Sequence, residues 1–263
     1  MFSINIPFAK DYTTHEDITK NALANITKEI YGENASCKAD IIAEIVAANV
    51  MVDTEFLNAE AHFDGERLES ANERLRTLLD EIIYEALDHQ FKKSREFLGQ
   101  LLHTVQDFYS HSNYIEIGGR SDFENLGFPD AFRNRLPPPN AKVCKKCFKD
   151  DRKCLMNNMN DAVIKNQWFT SGYFLELKPK GRCDHSFNFN PTGYLLSKIS
   201  NFRSRSYGIN KDSPHFKTSP HYHLFNEAIE AALHSSIRFI MTVYDNLKTK
   251  NKEELFSEII GID

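Results

Sequence analysis

Apolar residues recur every three or four positions along the first 112 residues, and this spacing predicts four consecutive α-helices. The predicted helices cover residues 13–31, 40–56, 67–88 and 91–112. Thr13 and Glu16 have the spacing of a capping box at the start of the first helix. The same spacing returns over residues 222–248 and predicts one further long helix. The fold is therefore expected to be all-α.

The stretch between these helices has a different composition. Residues 117–220, here called the excursion, contain all but one of the nine prolines and most of the glycines. This composition is typical of loops and short irregular elements, and within it residues 164–175 are predicted to be either helical or extended. A loop this long inside a compact domain is usually functional or cross-linked. We expect a helical bundle interrupted by one long irregular excursion before the last long helix.

Length and composition are those of one globular domain. With 263 residues, of which 41% are hydrophobic and 26% charged, disorder, collagen and coiled coil are excluded as the main state. We expect a single domain, 1–263, made of a helical core (13–116), the excursion (117–220) and a closing helix (221–250). No apolar run approaches the roughly 18 residues of a transmembrane helix. The net charge of −5, without a long Lys/Arg run, argues against binding to duplex nucleic acid.

The first residues do not have the basic and then continuously apolar pattern of a secretory signal. The chain is therefore expected to be cytoplasmic or to begin after a removed leader. Glycosylation sequons at Asn25 and Asn34 are compatible with export. We expect a secreted, extracellular protein, with a cytoplasmic location as the alternative.

Four of the five cysteines lie close together in the excursion. If the chain is exported, two disulfides are expected among Cys144, Cys147, Cys154 and Cys183. The alternative is a metal-binding knuckle at the C-x2-C pair, although no second such pair follows. Cys37 is left over and is expected to be buried.

The residues that indicate chemistry are His103, Asp107 and His111, which stand four positions apart on the fourth predicted helix. At about 100° per residue their side chains fall within ~80° of arc, so one helix face presents imidazole, carboxylate and imidazole. These groups are ligands suited to zinc. A single helix rarely completes a tetrahedral site, so other segments must contribute. The alternative is a solvated helix face, but three such residues together favour a metal site.

Other segments supply further candidate ligands. His15 opens the first helix, Asp53 closes the second, and His62 follows in the break after it, where it is equally consistent with a helix cap. His223 and Glu227, four residues apart, form either a chelating pair or a surface pair. The additional candidate ligands are His185, His221 and Asp64. The histidines without a partner at ligand spacing are His89 and His215.

These motifs resemble those of the superfamily of zinc-dependent phospholipases C and fungal single-strand nucleases. The resembling segments are THEDIT (14–19), AHFD (61–64), HTVQDFYSHSN (103–113) and, more weakly, SPHYH (219–223). The chain is most similar to the Het-C-like branch, the heterokaryon-incompatibility protein family. That branch also resembles the amino-terminal region of some von Willebrand factor A domain-containing proteins.

The resemblance implies a phospholipase C-like helical bundle that holds one to three zinc ions. The implied ligands of the first ion are Asp53, His62, His103 and Asp107. Those of the second are Asp107, His15 and the chain's amino terminus, and those of the third are His111, His223 and Glu227. The chain departs from the family at His111, which follows Asp107 after three residues instead of five. Met1 beside Phe2 is also expected to be retained, which weakens the case for the second ion.

Zinc ions bridged by a carboxylate suit phosphodiester hydrolysis, with phospholipid or single-stranded nucleic acid as the substrate. The resemblance makes Asp53 the preferred catalytic base, with Asp64 the next candidate. Tyr109 and Tyr114 flank the ligands and are candidates to stack on a base or contact a choline group, whereas Phe63 is expected in the core. Two hypotheses compete with hydrolysis. One is a non-catalytic recognition or adhesion module braced by metal, and the other is a membrane-active or incompatibility-type effector that uses the excursion as its contact surface.

Overall fold

The computed structural model describes residues 14–147, 151–185, 208–216 and 218–262. Its α-helices are α1 (His15–Tyr31), α2 (Ala39–Met51), α3 (Leu68–Leu87), α4 (Phe91–His111), α5 (Arg152–Met156), α6 (Asp161–Asn166), α7 (Phe225–Thr249) and α8 (Glu254–Ile260). A 3-10 turn, Val52–Glu55, directly follows α2, and a second, Tyr222–Leu224, directly precedes α7. Within the described ranges, β-pairing is limited to isolated bridges. The predicted all-α fold is confirmed.

The helix ends follow local hydrogen bonding. Thr14 caps α1, and its backbone N–H donates to the Asp17 carboxylate at 3.0 Å while its hydroxyl accepts from the Asp17 N–H. The capping box therefore lies one residue later than the predicted one at Thr13. α2 ends at Met51, because the chain tightens into the 3-10 turn instead of continuing to Phe56.

α4 is the central helix of the bundle and packs against α2, α3 and α7. Gly99 permits a close approach to α2, because a β-carbon at this position would lie 2.5 Å from the carbonyl oxygen of Ile45. With neighbours on several sides, α4 buries polar as well as apolar residues. His103 is 0% exposed and Asp107 is 2% exposed, so the alternative of a solvated helix face is wrong.

The described part of the excursion packs onto this bundle. Phe123, Phe132 and Phe169 are buried around Phe108 of α4, with ring centroids 5.8, 5.9 and 6.1 Å from it. The segment 164–175 is neither one helix nor one strand, because α6 ends at Asn166 and irregular chain follows. The excursion thus contributes its own aromatic core beside α4.

Two disulfides hold the excursion together. Cys144 pairs with Cys183, and Cys147 pairs with Cys154. The predicted oxidation in pairs is confirmed, and the metal-knuckle alternative is wrong because both cysteines of the C-x2-C pair are already bonded. Cys37 is half-buried, not fully buried, and its thiol lies 3.0 Å from the Thr27 hydroxyl.

The carboxyl-terminal part contains a helix that the apolar pattern did not indicate. α8 follows α7 after a short turn and buries Leu255, Phe256 and Ile259 against the bundle. The end of α8 is hydrogen-bonded to the start of α2, where the Lys38 N–H donates to the Gly261 carbonyl at 2.8 Å. In the described ranges, no helix combines the length and apolar character needed to cross a membrane.

Candidate metal centre

The carboxylate of Asp107 is the centre of the candidate site. Its Oδ1 lies 3.2 Å from His15 Nε2 on α1 and 3.8 Å from His111 Nε2 one turn along α4. Its Oδ2 lies 2.8 Å from His62 Nδ1 and 3.0 Å from His103 Nε2. The predicted ligands from three segments therefore converge on one buried carboxylate.

Two groups of potential metal ligands share this region of α4. One contains His15, His103 and Asp107, and the other contains Asp53, His62 and His103. In each group the ligand atoms lie within 4.8 Å of one another. Asp53 projects from the 3-10 turn after α2, where its side chain is 59% exposed, and its Oδ1 lies 3.9 Å from His103 Nε2. Asp53 therefore lies between the buried histidines and the solvent.

A third group lies one helical turn further along α4 and contains Asp64, His111 and His185. Asp64 Oδ1 lies 3.4 Å from His111 Nδ1 and 3.8 Å from His185 Nε2. Asp212 completes the surroundings, because its Oδ1 lies 3.1 Å from His111 Nε2 and accepts a hydrogen bond from the Ser110 hydroxyl. His185 and Asp64, only additional candidates from the sequence, are thus placed beside His111.

Several polar atoms in these groups are buried without a hydrogen-bond partner among the described residues. They are His62 Nε2, His103 Nδ1 and Asp64 Oδ1. Unpaired buried polar atoms are costly in a folded protein and call for a partner. Imidazole nitrogens and carboxylate oxygens are the donor set of zinc sites, so these residues fit a metal ion.

The electrostatics of the cluster are dominated by Asp107. Burial alone would raise its pKa, but His111, His103 and His15 hold the pKa of this carboxyl well below its usual range. Burial would lower the pKa of His15, but Asp107 more than offsets this and raises the pKa of His15 to about 9. Burial would also lower the pKa of His111, but Asp107 and Asp212 more than offset this and raise the pKa well above its usual value. Without metal, protons on His15 and His111 balance the buried carboxylate.

Gln106 is a supporting residue that the sequence analysis missed. Its Oε1 lies 2.7 Å from His15 Nδ1, and its Nε2 donates to the Thr19 hydroxyl at 3.1 Å and to the Ser236 hydroxyl at 3.4 Å. The amide thereby orients the His15 ring and joins α1, α4 and α7. Its position directly before Asp107 in the motif was the only available signal.

The cluster opens into a cavity of about 640 Å³. Polar groups of the cluster, including Asp53, His62 and Asp212, line one part of it. Apolar side chains such as Phe56 and Phe174 line another. A cavity of this volume accommodates a small organic ligand beside the candidate ligands.

The structure does not bring the segment around the start of α7 into any of the three groups. His221 is buried elsewhere, with Nδ1 2.5 Å from Glu116 Oε1 and Nε2 3.0 Å from Asn158 Oδ1. His223 is exposed, and neither His223 nor Glu227 lines the cavity. Their role as ligands stays a prediction.

The aromatic residues proposed to contact substrate are placed differently. Tyr109 is fully buried, and its hydroxyl accepts a hydrogen bond from the Phe123 N–H at 2.8 Å. Tyr114 packs on Phe169 outside the cavity lining. The predicted contact of Tyr109 with a base or choline group is therefore wrong, because Tyr109 lies two positions from Asp107 and points to the opposite side of α4. The contact of Tyr114 stays a prediction. Phe63 is in the core as expected.

Comparisons with known proteins place this chain in a family. Residues 18–253 match the family model of the VWA7 N-terminal domain. The chain is 30% identical to rat von Willebrand factor A domain-containing protein 7, over 95% of this chain and 30% of that protein. The mouse protein of the same name is 32% identical over 78% of this chain and 21% of its own length. The chain thus spans less than a third of the curated relatives it matches. No solved structure matches the chain significantly.

Proposed function

The chain belongs to the VWA7 N-terminal domain family, and we propose that its histidine–aspartate cluster binds zinc and hydrolyses phosphodiesters. The observation that carries the proposal is the buried Asp107 carboxylate, which faces imidazoles from three segments at the edge of a cavity. A structural zinc site is usually closed by four protein ligands, whereas a catalytic one keeps an open position. The exposed Asp53 and the adjoining cavity favour the open kind.

The proposed ligands fall into two sets along α4. The first contains Asp53, His62, His103, Asp107 and His15. The second contains Asp64, His111 and His185, with Asp212 as a further oxygen donor. Zinc held there would acidify water and stabilise negative charge on a phosphoryl oxygen. The phospholipase C-like and Het-C-like resemblance of the motifs agrees with this chemistry.

We assign the role of general base to Asp53. In hydrolysis a water oxygen bonds to phosphorus, the bond to the leaving oxygen breaks, and the water proton passes to a base. Asp53 is the carboxylate of the first set that solvent reaches, and it lines the cavity. Asp107 is less suited because its side chain is only 2% exposed and is enclosed by three histidines.

The test is turnover of a small phosphodiester, a phospholipid and a single-stranded oligonucleotide, each with and without chelator. We expect chelator-sensitive hydrolysis of at least one, and a loss on the order of 100-fold in Asp53→Asn, since the amide keeps size but cannot accept the proton. Glu55→Gln is the matched control, an exposed carboxylate in the same 3-10 turn, and should retain activity.

Two outcomes contradict different parts of the proposal. Full zinc occupancy without turnover of any of the three substrates would favour the metal-braced recognition or adhesion module. Chelator-sensitive turnover that survives Asp53→Asn would keep the hydrolase but move the base to another carboxylate, with Asp64 the first to test.

We also propose that the protein is secreted. Two disulfides in the described ranges support folding in an oxidising compartment, since such bonds rarely persist in the cytosol.

A further inference from the structure

Two separate segments expose large apolar side chains beside the cavity. Val50, Met51, Phe56 and Leu57 lie at the end of α2 and around the 3-10 turn, and Leu57 is 74% exposed. Leu175 and Leu177 lie on a loop of the excursion, and Leu177 is 99% exposed. We call these six residues the apolar rim. Single exposed leucines are ordinary, but clusters of this kind mark interaction surfaces.

The apolar rim is continuous with the candidate site. Val50 and Phe56 line the cavity directly. On the other segment, Phe174 lines the cavity beside Leu175, and its ring centroid lies 5.2 Å from that of His185. Both exposed segments therefore begin at the cavity wall, and a surface that contacts them also faces the site.

The loop that carries Leu175 and Leu177 has one solvent-exposed ion pair and one unfavourable backbone conformation. Glu176 between them reaches back to Arg67, with an oxygen–nitrogen distance of 4.0 Å. Leu175 has a φ of 56°, in the left-handed region that a leucine rarely adopts. The chain therefore keeps an unfavourable backbone conformation at a point where it exposes apolar side chains.

The charges beside the apolar rim define the partner further. Residues 50–57 contain Asp53 and Glu55 but no basic residue. On the loop, Lys178 is paired with Asp184 at 3.3 Å. The loop also carries Arg182, which is paired with Glu66 at 3.2 Å, and the exposed Lys180. The acidic Asp53, Glu55 and Glu176 offset these three basic residues, so the two segments carry no net positive charge. Anionic membranes and nucleic acids are attracted by clusters of Lys and Arg with net positive charge. A zwitterionic lipid surface needs no such cluster, because apolar insertion supplies the affinity.

We propose that the apolar rim docks on a zwitterionic phospholipid surface, with Met51, Leu57 and Leu177 inserted between the lipids. The inference deepens the proposed function, since it selects phospholipid over nucleic acid as the phosphodiester presented to the cavity. Docking itself is independent of turnover and can be measured separately.

The experiment is co-flotation of the 263-residue chain with phosphatidylcholine vesicles. We expect binding that persists at high salt and does not increase when anionic lipid is added, as apolar insertion is not screened. Leu57→Ser with Leu177→Ser should weaken binding by at least about tenfold, given the transfer free energy of two leucines. Phe128→Ser is the control, because Phe128 is 59% exposed but does not line the cavity. Melting temperatures of both variants verify folding.

Several results would overturn the docking proposal. One is a wild type that does not bind phosphatidylcholine vesicles, or that binds only anionic ones. Another is a Phe128→Ser control that loses as much binding as the double variant. A third is a concentration-dependent dimer of the wild type that is absent in the double variant. The last would show that a second copy covers the apolar rim. Hydrolysis without vesicle binding overturns docking alone, and vesicle binding without hydrolysis overturns the proposed enzyme alone.

Discussion

At the scale of single residues, protons and metal compete for the nitrogen atoms around Asp107. His15 Nε2 lies 3.2 Å from Asp107 Oδ1, and this contact raises the pKa of His15 to about 9. A histidine binds metal only in its neutral form. Metal binding must therefore displace the proton that His15 carries at neutral pH.

We predict that zinc binding at pH 7 releases about one proton from His15, in addition to that from His111. The affinity should fall as the pH decreases below about 9, because protonation of His15 then competes with zinc. Calorimetric titration in buffers of different ionisation enthalpy measures the number of protons released. In His15→Gln that number should drop by about one. Binding enthalpies that do not depend on the buffer would contradict the assignment of His15.

At the scale of elements, α4 shows which parts of the site the sequence could predict. His103, Asp107 and His111 are neighbours through helical spacing alone, so local geometry was sufficient to group them. Asp212 approaches His111 only because the excursion returns to α4 from about a hundred residues away. No local spacing encodes such a contact, so neither this carboxylate nor its environment could be predicted.

The same distinction explains the wrong placement of Tyr109 and the failure to predict α8. Tyr109 belongs to the recognised motif, but its hydroxyl is held by the Phe123 N–H, which the excursion supplies. α8 has only 7 residues, so its apolar spacing does not stand out in the sequence. Its apolar residues are buried by packing on the bundle. Helical periodicity predicts long helices well, whereas tertiary contacts determine the short helices and the placement of individual side chains.

The disulfides give a prediction at this scale. Cys144 and Cys183 are 39 residues apart, whereas Cys147 and Cys154 are 7 apart. Because loop-closure entropy grows with the logarithm of loop length, Cys144→Ser with Cys183→Ser should lower the free energy of unfolding by ~1.5 kcal/mol more than Cys147→Ser with Cys154→Ser. Urea unfolding of both double variants measures this difference. Equal losses would indicate that the excursion is restrained mainly by its packing.

At the scale of the whole molecule, a buried ionic cluster joins the excursion to the bundle. Lys211 is fully buried, and its Nζ donates to Glu116 Oε1 at 2.9 Å and to the Ser112 carbonyl at 2.8 Å. Glu116 also contacts His221 just before α7. Burial alone would raise the pKa of Glu116, but Lys211 and His221 more than offset it and lower the pKa to about 2.

Removing the charge of Glu116 should therefore destabilise the protein. Since its folded pKa lies below the ordinary value of 4.5, the stabilisation is present above about pH 4.5 and is lost as the pH falls through about 2. Glu116→Gln should lower the free energy of unfolding by roughly 3 kcal/mol at pH 7, because Lys211 is left as an unpaired buried charge. Urea unfolding at several pH values should show this deficit shrinking toward pH 2. A deficit that is absent, or matched by the exposed control Glu124→Gln, would contradict this account.

The cluster around Asp107 is the central claim, and metal analysis of the purified protein tests it most directly. After incubation with zinc and gel filtration, wild-type chain should retain at least about one zinc ion, as expected for a site with several imidazole and carboxylate ligands. Asp107→Asn should retain far less, because the variant loses the charge that all three imidazoles face, while the exposed control Asp80→Asn should match wild type. Equal zinc content in wild type and Asp107→Asn, or none in wild type, would contradict the account.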